Sequence, residues 1–148
     1  MRAAVDALRA DGARALVLDL RSSPGGLLTA AVEVSELFLL PRQMVTYTEG
    51  RTRRQNMRFS AQPPSPPLDL PLAVLVDDAT TSGAEIVAAA LQDWARATVV
   101  GTKTAGRSTI QTVIPLANGG ALRLTTAHWF TPKGRSLARG GDSPPTSR

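Results

Sequence analysis

The sequence has 148 residues, of which 43% are hydrophobic and 20% charged, a composition typical of a single globular domain. It contains no cysteine and one histidine, which excludes disulfides, cysteine nucleophiles, cysteine zinc sites and multi-histidine metal sites. We therefore expect no metal and no other cofactor. The net charge is +5, but aromatic residues make up only 4% and are not interleaved with the basic ones, so nucleic-acid binding is the less favoured interpretation of that charge.

In chain order, apolar periodicity predicts a helix over residues 2–10, a strand over 15–20, a helix over 28–39 and a strand over 44–48. It then predicts a strand over 72–76, a helix over 85–94 and strands over 98–100, 110–116, 121–125 and 128–130. The run at 15–20 is apolar apart from Asp19, as in a strand buried on both faces of a parallel sheet. Strands that alternate with helices predict an α/β domain with a largely parallel sheet and flanking helices.

Two segments lack this periodicity. Residues 49–71 contain several arginines followed by a proline-rich run, which predicts a long exposed loop. Residues 140–148 are glycine, proline and polar residues, which predicts a flexible tail. No stretch approaches the ~18–20 apolar residues of a membrane helix, and residues 1–12 are amphipathic, so we expect neither a membrane span nor an export signal within the chain as written.

Ligands of parallel α/β sheets gather at the carboxyl ends of the strands, which directs attention to the loops after residues 20, 76 and 100. The first of these loops contains Gly25 and Gly26, which let backbone N–H groups approach an anion or a developing oxyanion. The same glycines are also what a tight strand-to-helix turn requires. The loop matches neither a phosphate-binding P-loop nor a dinucleotide fingerprint.

The second loop leads into a helix through Ser82 and Glu85. These two residues fit a capping box, with the serine at the N-cap and the glutamate at the third helical position. A serine at a helix head also lies beside free N–H groups and the positive end of the helix dipole, which suits a nucleophile. Gly83 follows it and would let a substrate carbonyl approach the backbone N–H. The capping role and the nucleophile role do not exclude each other.

Motifs in the three loops, taken in order, resemble those of the C-terminal processing peptidases, also called tail-specific proteases. Residues 18–27 (Leu-Asp-Leu-Arg-Ser-Ser-Pro-Gly-Gly-Leu) resemble the family's oxyanion strand and loop, and residues 82–86 (Ser-Gly-Ala-Glu-Ile) resemble its nucleophile segment. Residues 101–111 resemble its base-bearing loop, and residues 122–136 its terminal strand motif. The similarity covers nearly the whole chain outside residues 51–70.

The resemblance implies a ClpP/crotonase-like core and a serine endopeptidase that cleaves proteins near their C-terminus through an acyl-enzyme. By position it implies Ser82 as the nucleophile, Arg107 in the place of the base, Gln111 as the residue that positions the base, and oxyanion donors from the N–H of Gly83 and one of Gly25 or Gly26. It also implies partners that are peptide or protein C-terminal segments, and a location outside the cytoplasm, in the periplasm or cell envelope.

The base position departs from the family pattern, which has a lysine where this sequence has Arg107. A desolvated lysine can lose its proton and accept one from serine, whereas arginine keeps its charge in proteins. Three explanations stay open. The chain is a catalytically impaired pseudopeptidase that binds peptides or scaffolds a partner, or Lys103 reaches the serine instead, or another base or a water route supports activity. His128, the one histidine, is interpreted as a structural strand residue.

Members of this family usually carry an export signal and a peptide-binding PDZ domain before the core, and neither is recognisable in this sequence. We therefore expect residues 1–139 to be a truncated peptidase core and residues 140–148 its flexible tail. The sequence leaves the physiological substrate and the oligomeric state open.

Overall fold

The computed structural model describes residues 1–138. Within them the helices are α1 (Arg2–Ala10), α2 (Leu28–Glu36) and α3 (Gly83–Asp93), with a single-turn 3-10 helix at Arg53–Gln55. The strands are β1 (Leu16–Asp19), β2 (Met44–Gly50), β3 (Arg58–Ser60), β4 (Leu72–Val76), β5 (Thr98–Gly101), β6 (Thr109–Pro115) and β7 (Ala121–Phe130). None of the helices in residues 1–138 is long and apolar enough to cross a membrane. The flexible tail predicted for residues 140–148 lies outside the described residues.

A parallel sheet with the strand order β1-β4-β5 forms one layer of the fold. The central strand is the most buried, and its Val74 lies opposite Leu18 of β1 and Val99 of β5. The prediction of a parallel sheet is confirmed for these strands. The prediction that the first strand is buried on both faces is wrong, because β1 is an edge strand with one open face, on which Val17 is 66% exposed.

The other strands form an antiparallel sheet with the order β3-β2-β7-β6. The sheet structure is therefore mixed rather than largely parallel, because β6 and β7 form a hairpin and β2 adds to it antiparallel. The two strands predicted at 121–125 and 128–130 are one continuous strand, β7. Its inner half carries Ala127 and Trp129 into the core, whereas the outer half of the hairpin is exposed.

The segment 49–71 is only in part the exposed loop that its composition predicts. It contains the end of β2, the 3-10 helix and β3, which pairs antiparallel with β2. Two apolar side chains also anchor it, because Ala61 and Leu68 are 0% and 1% exposed. The two apolar residues could not be recognised as buried from the sequence, because arginines and prolines dominate the segment. The strand β3 could not be recognised either, because its 3 residues are too few to show an alternation of apolar and polar side chains.

Helix α3 lies at the centre of the domain and contacts α2, β2 and β5. Every residue from Gly83 to Leu91 is buried, which is the pattern of a helix surrounded by other elements. Small side chains at Ala88, Ala89 and Ala90 allow these neighbours to approach closely. A helix packed on every side fixes the position of its first turn, and that turn begins at Ser82.

Arg96 joins the end of α3 to the segment 61–71. Its guanidinium donates hydrogen bonds to the carbonyl oxygens of Phe38, Leu68 and Leu70, and it lies over the Phe38 ring at 5.9 Å. Partial burial lowers the pKa of Arg96 from its usual value. One side chain therefore satisfies carbonyl groups that belong to two separate stretches of backbone.

Replacing Arg96 by methionine keeps the length of the side chain but removes every donor. We expect Arg96→Met to lower the free energy of unfolding by about 2 kcal/mol, because three partly buried carbonyl groups lose their partner. Urea unfolding followed by circular dichroism measures this change. Arg14→Met, at an exposed position, is the matched control and should stay within about 0.5 kcal/mol of wild type. Equal effects of the two substitutions would contradict the role of Arg96.

Candidate active site

The loops that follow the three parallel strands meet at one edge of the sheet. The N–H of Thr81 donates to the carbonyl of Ser23 over 3.0 Å, which joins the second loop to the first. The N–H of Ala105 donates to the carbonyl of Thr80 over 3.0 Å, which joins the third loop to the second. The carboxyl edge of the sheet therefore holds a connected group of loops, as parallel α/β folds lead one to expect.

Asp77, the first residue after β4, ties the first two loops together. Its carboxylate accepts the N–H of Ser22 over 2.8 Å and the N–H of Thr80 over 2.9 Å. The Thr80 hydroxyl donates to the carbonyl of Leu20 over 2.8 Å. The hydrogen bond from the Ser22 backbone is the main reason that the pKa of Asp77 is lowered. The hydrogen bonds that connect the two loops are thus strongest when Asp77 is ionised, and they weaken as the pH falls through the pKa of Asp77 in the folded protein.

Ser82 lies at the head of α3 in a backbone conformation that is rare for a residue with a side chain. Its φ is 55° and its ψ is −120°, and such positive φ values cost free energy unless neighbouring groups hold them. The N–H of Ser82 donates to Oε2 of Glu85 over 2.9 Å, as the predicted capping box requires. A serine on a sharp turn between a strand and a buried helix is the backbone geometry of a nucleophile elbow.

The glycines of the first loop pack directly against this turn. Gly25 has a φ of 79°, and a Cβ atom there would lie 2.4 Å from the carbonyl oxygen of Thr81 and 2.6 Å from the nitrogen of Gly83. A Cβ atom on Gly83 would lie 3.3 Å from the nitrogen of Gly26. Within residues 1–138 neither the N–H of Gly26 nor that of Gly83 has an acceptor. Two adjacent free donors thus lie beside Ser82.

The buried carboxylate of Glu85 connects the serine turn to the third loop. Glu85 is 0% exposed, and its Oε1 accepts the Thr104 hydroxyl over 2.7 Å and the N–H of Gly106 over 2.8 Å. Its Oε2 accepts the N–H of Arg107 over 3.0 Å in addition to that of Ser82. All four partners are donors, so both oxygens act only as acceptors. One side chain therefore fixes the distance between the head of α3 and the residues 104–107.

The remaining predicted site residues lie on exposed surface. The N–H of Arg107 donates a hydrogen bond to Glu85, and its carbonyl accepts one from Nε1 of Trp129. The side chains of Arg107 and Lys103 are exposed. Gln111 lies early on β6 and is exposed, and it forms no hydrogen bond to Ser82 or Arg107 within the described residues. The structure therefore brings together the serine, the glycines and the backbone of Arg107, and the role of Gln111 stays a prediction.

His128 lies on β7 opposite Glu49 of β2 and is exposed, so the histidine is a strand residue as predicted. It forms no hydrogen bond to Ser82 in the part of the chain that the structure describes. Within residues 1–138 no group of histidine, aspartate and glutamate side chains could hold a metal ion.

An apolar cavity of about 160 Å³ adjoins the two free N–H groups. Gly25, Gly26 and Gly83 line it together with aliphatic side chains. These aliphatic residues lie directly after β1, directly before and within α2, and within α3, and they include Leu20, Leu27, Ala31, Val34 and Val87. A site lined by both free donors and apolar groups can hold one residue of an extended peptide.

A sequence profile of peptidase family S41 matches residues 1–145. The chain belongs to this family. Among curated members, the carboxy-terminal-processing protease of Bartonella bacilliformis is 45% identical over 134 residues, which cover 90% of this chain and 31% of that protein. The carboxyl-terminal-processing protease of Synechocystis sp. is 40% identical over 141 residues, which cover 95% of this chain and 32% of that protein.

A solved structure of a C-terminal processing protease supports the same assignment. The photosystem II D1 C-terminal processing protease matches with a TM-score of 0.84 and 34% identity, over 97% of this chain and 36% of that chain. The chain thus spans about a third of the length of the relatives it matches. The fold of this third of an S41 peptidase, including the order of its three loops, is therefore shared.

The sequence pattern predicted Ser82 and the glycine loop as parts of the site. It did not predict the three hydrogen bonds that Glu85 accepts from the third loop. A capping box explains only the bond to Ser82, and it does not require the glutamate to be buried. One signal was available, since Glu85 opens a helix whose following residues are all apolar apart from Gln92 and Asp93. A glutamate in such a helix needs several partners, because burying a charged group without them is costly.

Gly25 and Gly26 differ in whether they tolerate a side chain. We expect Gly25→Ala to lower the free energy of unfolding by at least about 2 kcal/mol, because the new Cβ would collide with the backbone of Thr81 and Gly83. Gly26→Ala is the matched control, since a Cβ there meets nothing within 4 Å, and it should unfold within about 1 kcal/mol of wild type. Urea unfolding measures both. The close packing of Gly25 on the serine turn would be refuted by equal stabilities.

Replacing Glu85 by glutamine exchanges one acceptor oxygen for an NH2 group. In either orientation that NH2 faces at least one backbone N–H, so we expect Glu85→Gln to lower the free energy of unfolding by about 2–3 kcal/mol. Glu33→Gln, at an exposed position on α2, is the matched control and should change it by less than about 0.5 kcal/mol. Thermal and urea unfolding check the difference, and a Glu85→Gln protein as stable as the control would contradict the network.

Proposed function

We propose that this chain is the catalytic core of a serine endopeptidase that cleaves proteins near their C-terminus, with Ser82 as the nucleophile. The observation that carries the proposal is the strained turn of Ser82 at the head of a buried helix, beside the free N–H groups of Gly26 and Gly83. Membership of peptidase family S41, and relatives named as carboxy-terminal processing proteases, support it.

In the proposed reaction Ser82 Oγ attacks the carbonyl carbon of a peptide bond and transfers its proton to a base. The carbonyl oxygen becomes an oxyanion, and the N–H groups of Gly83 and of Gly25 or Gly26 stabilise its charge. The free donors of Gly26 and Gly83 favour that pair. The tetrahedral intermediate releases the amine with a proton and leaves an acyl-enzyme, which water then hydrolyses to free the serine.

The base is the open step of this mechanism. Arg107 occupies the position that carries a lysine in the resemblance, and its guanidinium keeps its charge in proteins. Lys103 is the other candidate, but its side chain is exposed and forms no hydrogen bond to Ser82 within the described residues. Gln111 would orient a lysine at position 107. We therefore propose that the framework for catalysis is complete except for an efficient base.

A second function is favoured by the same arginine. If Arg107 leaves Ser82 without a base, the chain is a pseudopeptidase that binds peptides or scaffolds a partner. The apolar cavity and the free donors would serve binding equally well, because neither requires proton transfer.

We further propose that the core has a ClpP/crotonase-like arrangement, and that the whole protein acts outside the cytoplasm on peptide or protein C-terminal segments. The parallel β1-β4-β5 sheet, with α3 beginning after its central strand, supports the first statement. The names of the S41 relatives, which are carboxy-terminal processing proteases, support action on C-terminal segments, whereas the location follows from the family resemblance alone.

Labelling with a fluorophosphonate tests the nucleophile, and restoring the lysine tests the base. We expect wild type to be labelled slowly at Ser82, and Arg107→Lys to raise the rates of labelling and peptide hydrolysis by roughly 10²-fold, since a general base contributes about 10²–10⁴-fold. Ser82→Ala should abolish labelling in both backgrounds, and Arg107→Gln is the control that removes the charge without adding a base. A folded Arg107→Lys protein that is not labelled would refute the nucleophile. Equal, appreciable activity of wild type and Arg107→Lys would refute the position of the base.

A further inference from the structure

Four arginine side chains gather where β2 turns into β3. Residues 51–58, named here the β2–β3 tip, contain Arg51, Arg53, Arg54 and Arg58, and all four are exposed. The tip contains no acidic residue, so its formal charge is +4. Within residues 1–138 none of these guanidinium groups forms a hydrogen bond or an ion pair. The tip is therefore a cluster of cations whose charge is left for a partner to compensate.

The backbone of the β2–β3 tip is held by its own hydrogen bonds. The N–H of Thr52 donates to Oε1 of Gln55 over 2.9 Å, and the Thr48 hydroxyl donates to the carbonyl of Gln55 over 2.6 Å. The N–H of Gly50 donates to Oδ1 of Asn56 over 2.9 Å. The arginines thus extend from a fixed turn, so their positive charges are concentrated before any ligand binds.

An exposed methionine belongs to the same tip. The side chain of Met57 is 44% exposed, although its N–H donates to the Thr48 hydroxyl over 3.0 Å and its carbonyl accepts the N–H of Thr48 over 2.8 Å. Arg58 follows it in the chain, and Arg54 precedes it by three residues. Cations beside an exposed apolar side chain are typical of surfaces that bind membranes, where the cations contact lipid phosphates and the apolar group enters the interface.

We propose that the β2–β3 tip binds the surface of a lipid bilayer that contains anionic lipids. The four guanidinium groups donate hydrogen bonds to lipid phosphates, and Met57 enters the boundary between the headgroups and the acyl chains. Clusters of about four to eight basic residues bind anionic bilayers, and each residue raises the affinity roughly fivefold. The inference goes beyond the proposed peptidase activity, since it requires neither Ser82 nor a base.

A nucleic acid is the other polyanion that a cluster of arginines could bind. Single strands bind by stacking their bases on free aromatic faces. The aromatic ring that the tip contacts is Tyr47, which stacks on Phe130 with ring centres 5.2 Å apart and lies 5.4 Å from the guanidinium carbon of Arg58. Met57 offers no hydrogen bond to a base, whereas it adds apolar area to contact with a bilayer. These contacts favour the bilayer.

The β2–β3 tip lies on the side of the antiparallel sheet that is next to the third loop of the site. Gly50, at the end of β2, pairs with Ala127 of β7, and Ile110 of β6 pairs with the same residue. Neighbouring strands lie about 4.7–4.9 Å apart, so Gly50 and Ile110 are roughly 10 Å apart. Arg107 precedes Ile110 by three residues. A chain that binds through its tip therefore keeps the third loop close to the lipid surface.

Co-sedimentation with lipid vesicles tests the proposal. One set of vesicles contains phosphatidylcholine with about one third phosphatidylglycerol, and the other contains phosphatidylcholine alone. We expect the full chain to bind the anionic vesicles at least tenfold more tightly than the neutral ones, and the difference to shrink as salt screens the charges. The double variant Arg53→Gln/Arg54→Gln should weaken binding to anionic vesicles roughly 25-fold, because each arginine contributes roughly fivefold. Arg9→Gln/Arg14→Gln, two exposed positions with the same change of charge, is the matched control and should weaken it less than about threefold.

Several results would overturn the proposal. Equal affinities for anionic and neutral vesicles, or no binding of either by a chain whose fold is verified by circular dichroism, would refute a bilayer-binding tip. Equal weakening by the two double variants would mean that the net charge of the chain, and not the tip, attracts the vesicles. Tighter binding to an oligonucleotide than to anionic vesicles, at the same salt and phosphate concentrations, would assign the cluster to nucleic acid instead.

The entry of Met57 into the interface is tested by a separate variant. Met57→Gln keeps the length of the side chain and the charge of the tip but removes its apolar character. We expect it to weaken binding to anionic vesicles severalfold and to leave the salt dependence unchanged, because the number of cations stays the same. An unchanged affinity would show that Met57 stays outside the bilayer and would refute this part of the proposal.

Discussion

The buried carboxylate of Glu85 is the interaction on which the site depends. It lies in the first turn of α3, where every neighbour is packed, and its oxygens accept donors from Ser82 on one side and from Thr104, Gly106 and Arg107 on the other. Without it the third loop would be attached to the second mainly through backbone contacts at its start. Because an unpaired buried carboxylate is costly, the donors and the acceptor hold each other in place, and the loop cannot move without exposing several of them at once.

That network also explains how the chain sustains a strained serine. A positive φ at a residue with a side chain persists only where the surroundings over-determine it. Here the surroundings act from three directions: Glu85 holds the N–H of Ser82, Gly25 packs under the turn, and Asp77 with Thr80 ties the preceding residues to the first loop. The absence of a side chain at Gly25 is thus as necessary as any hydrogen bond, because a single methyl group there would occupy the space of the Thr81 carbonyl.

The features of the fold and site that could be predicted from the sequence are those encoded by a few neighbouring residues. The parallel strands, the glycine loop and the bond between Ser82 and Glu85 rest on short patterns, and each was recognisable. The strand β3 and the buried Leu68 were not, because they are stabilised by distant partners, such as the Leu37 carbonyl that accepts the Leu68 N–H, and lie in a segment of polar composition. The exposure of Val17 was missed for a related reason, since an apolar run does not reveal whether a strand is central or at an edge.

The contact between Glu85 and position 107 passes through the backbone, and this separates the architecture of the site from its chemistry. Any residue at 107 except proline offers the same N–H, so the side chain at this position can differ without removing the hydrogen bond that holds the loop. Fold, loop order and serine geometry can therefore stay those of an S41 peptidase while the function of the site changes. For this reason membership of the family establishes the scaffold, whereas the activity that we propose for this chain has to be argued from the side chains presented on that scaffold.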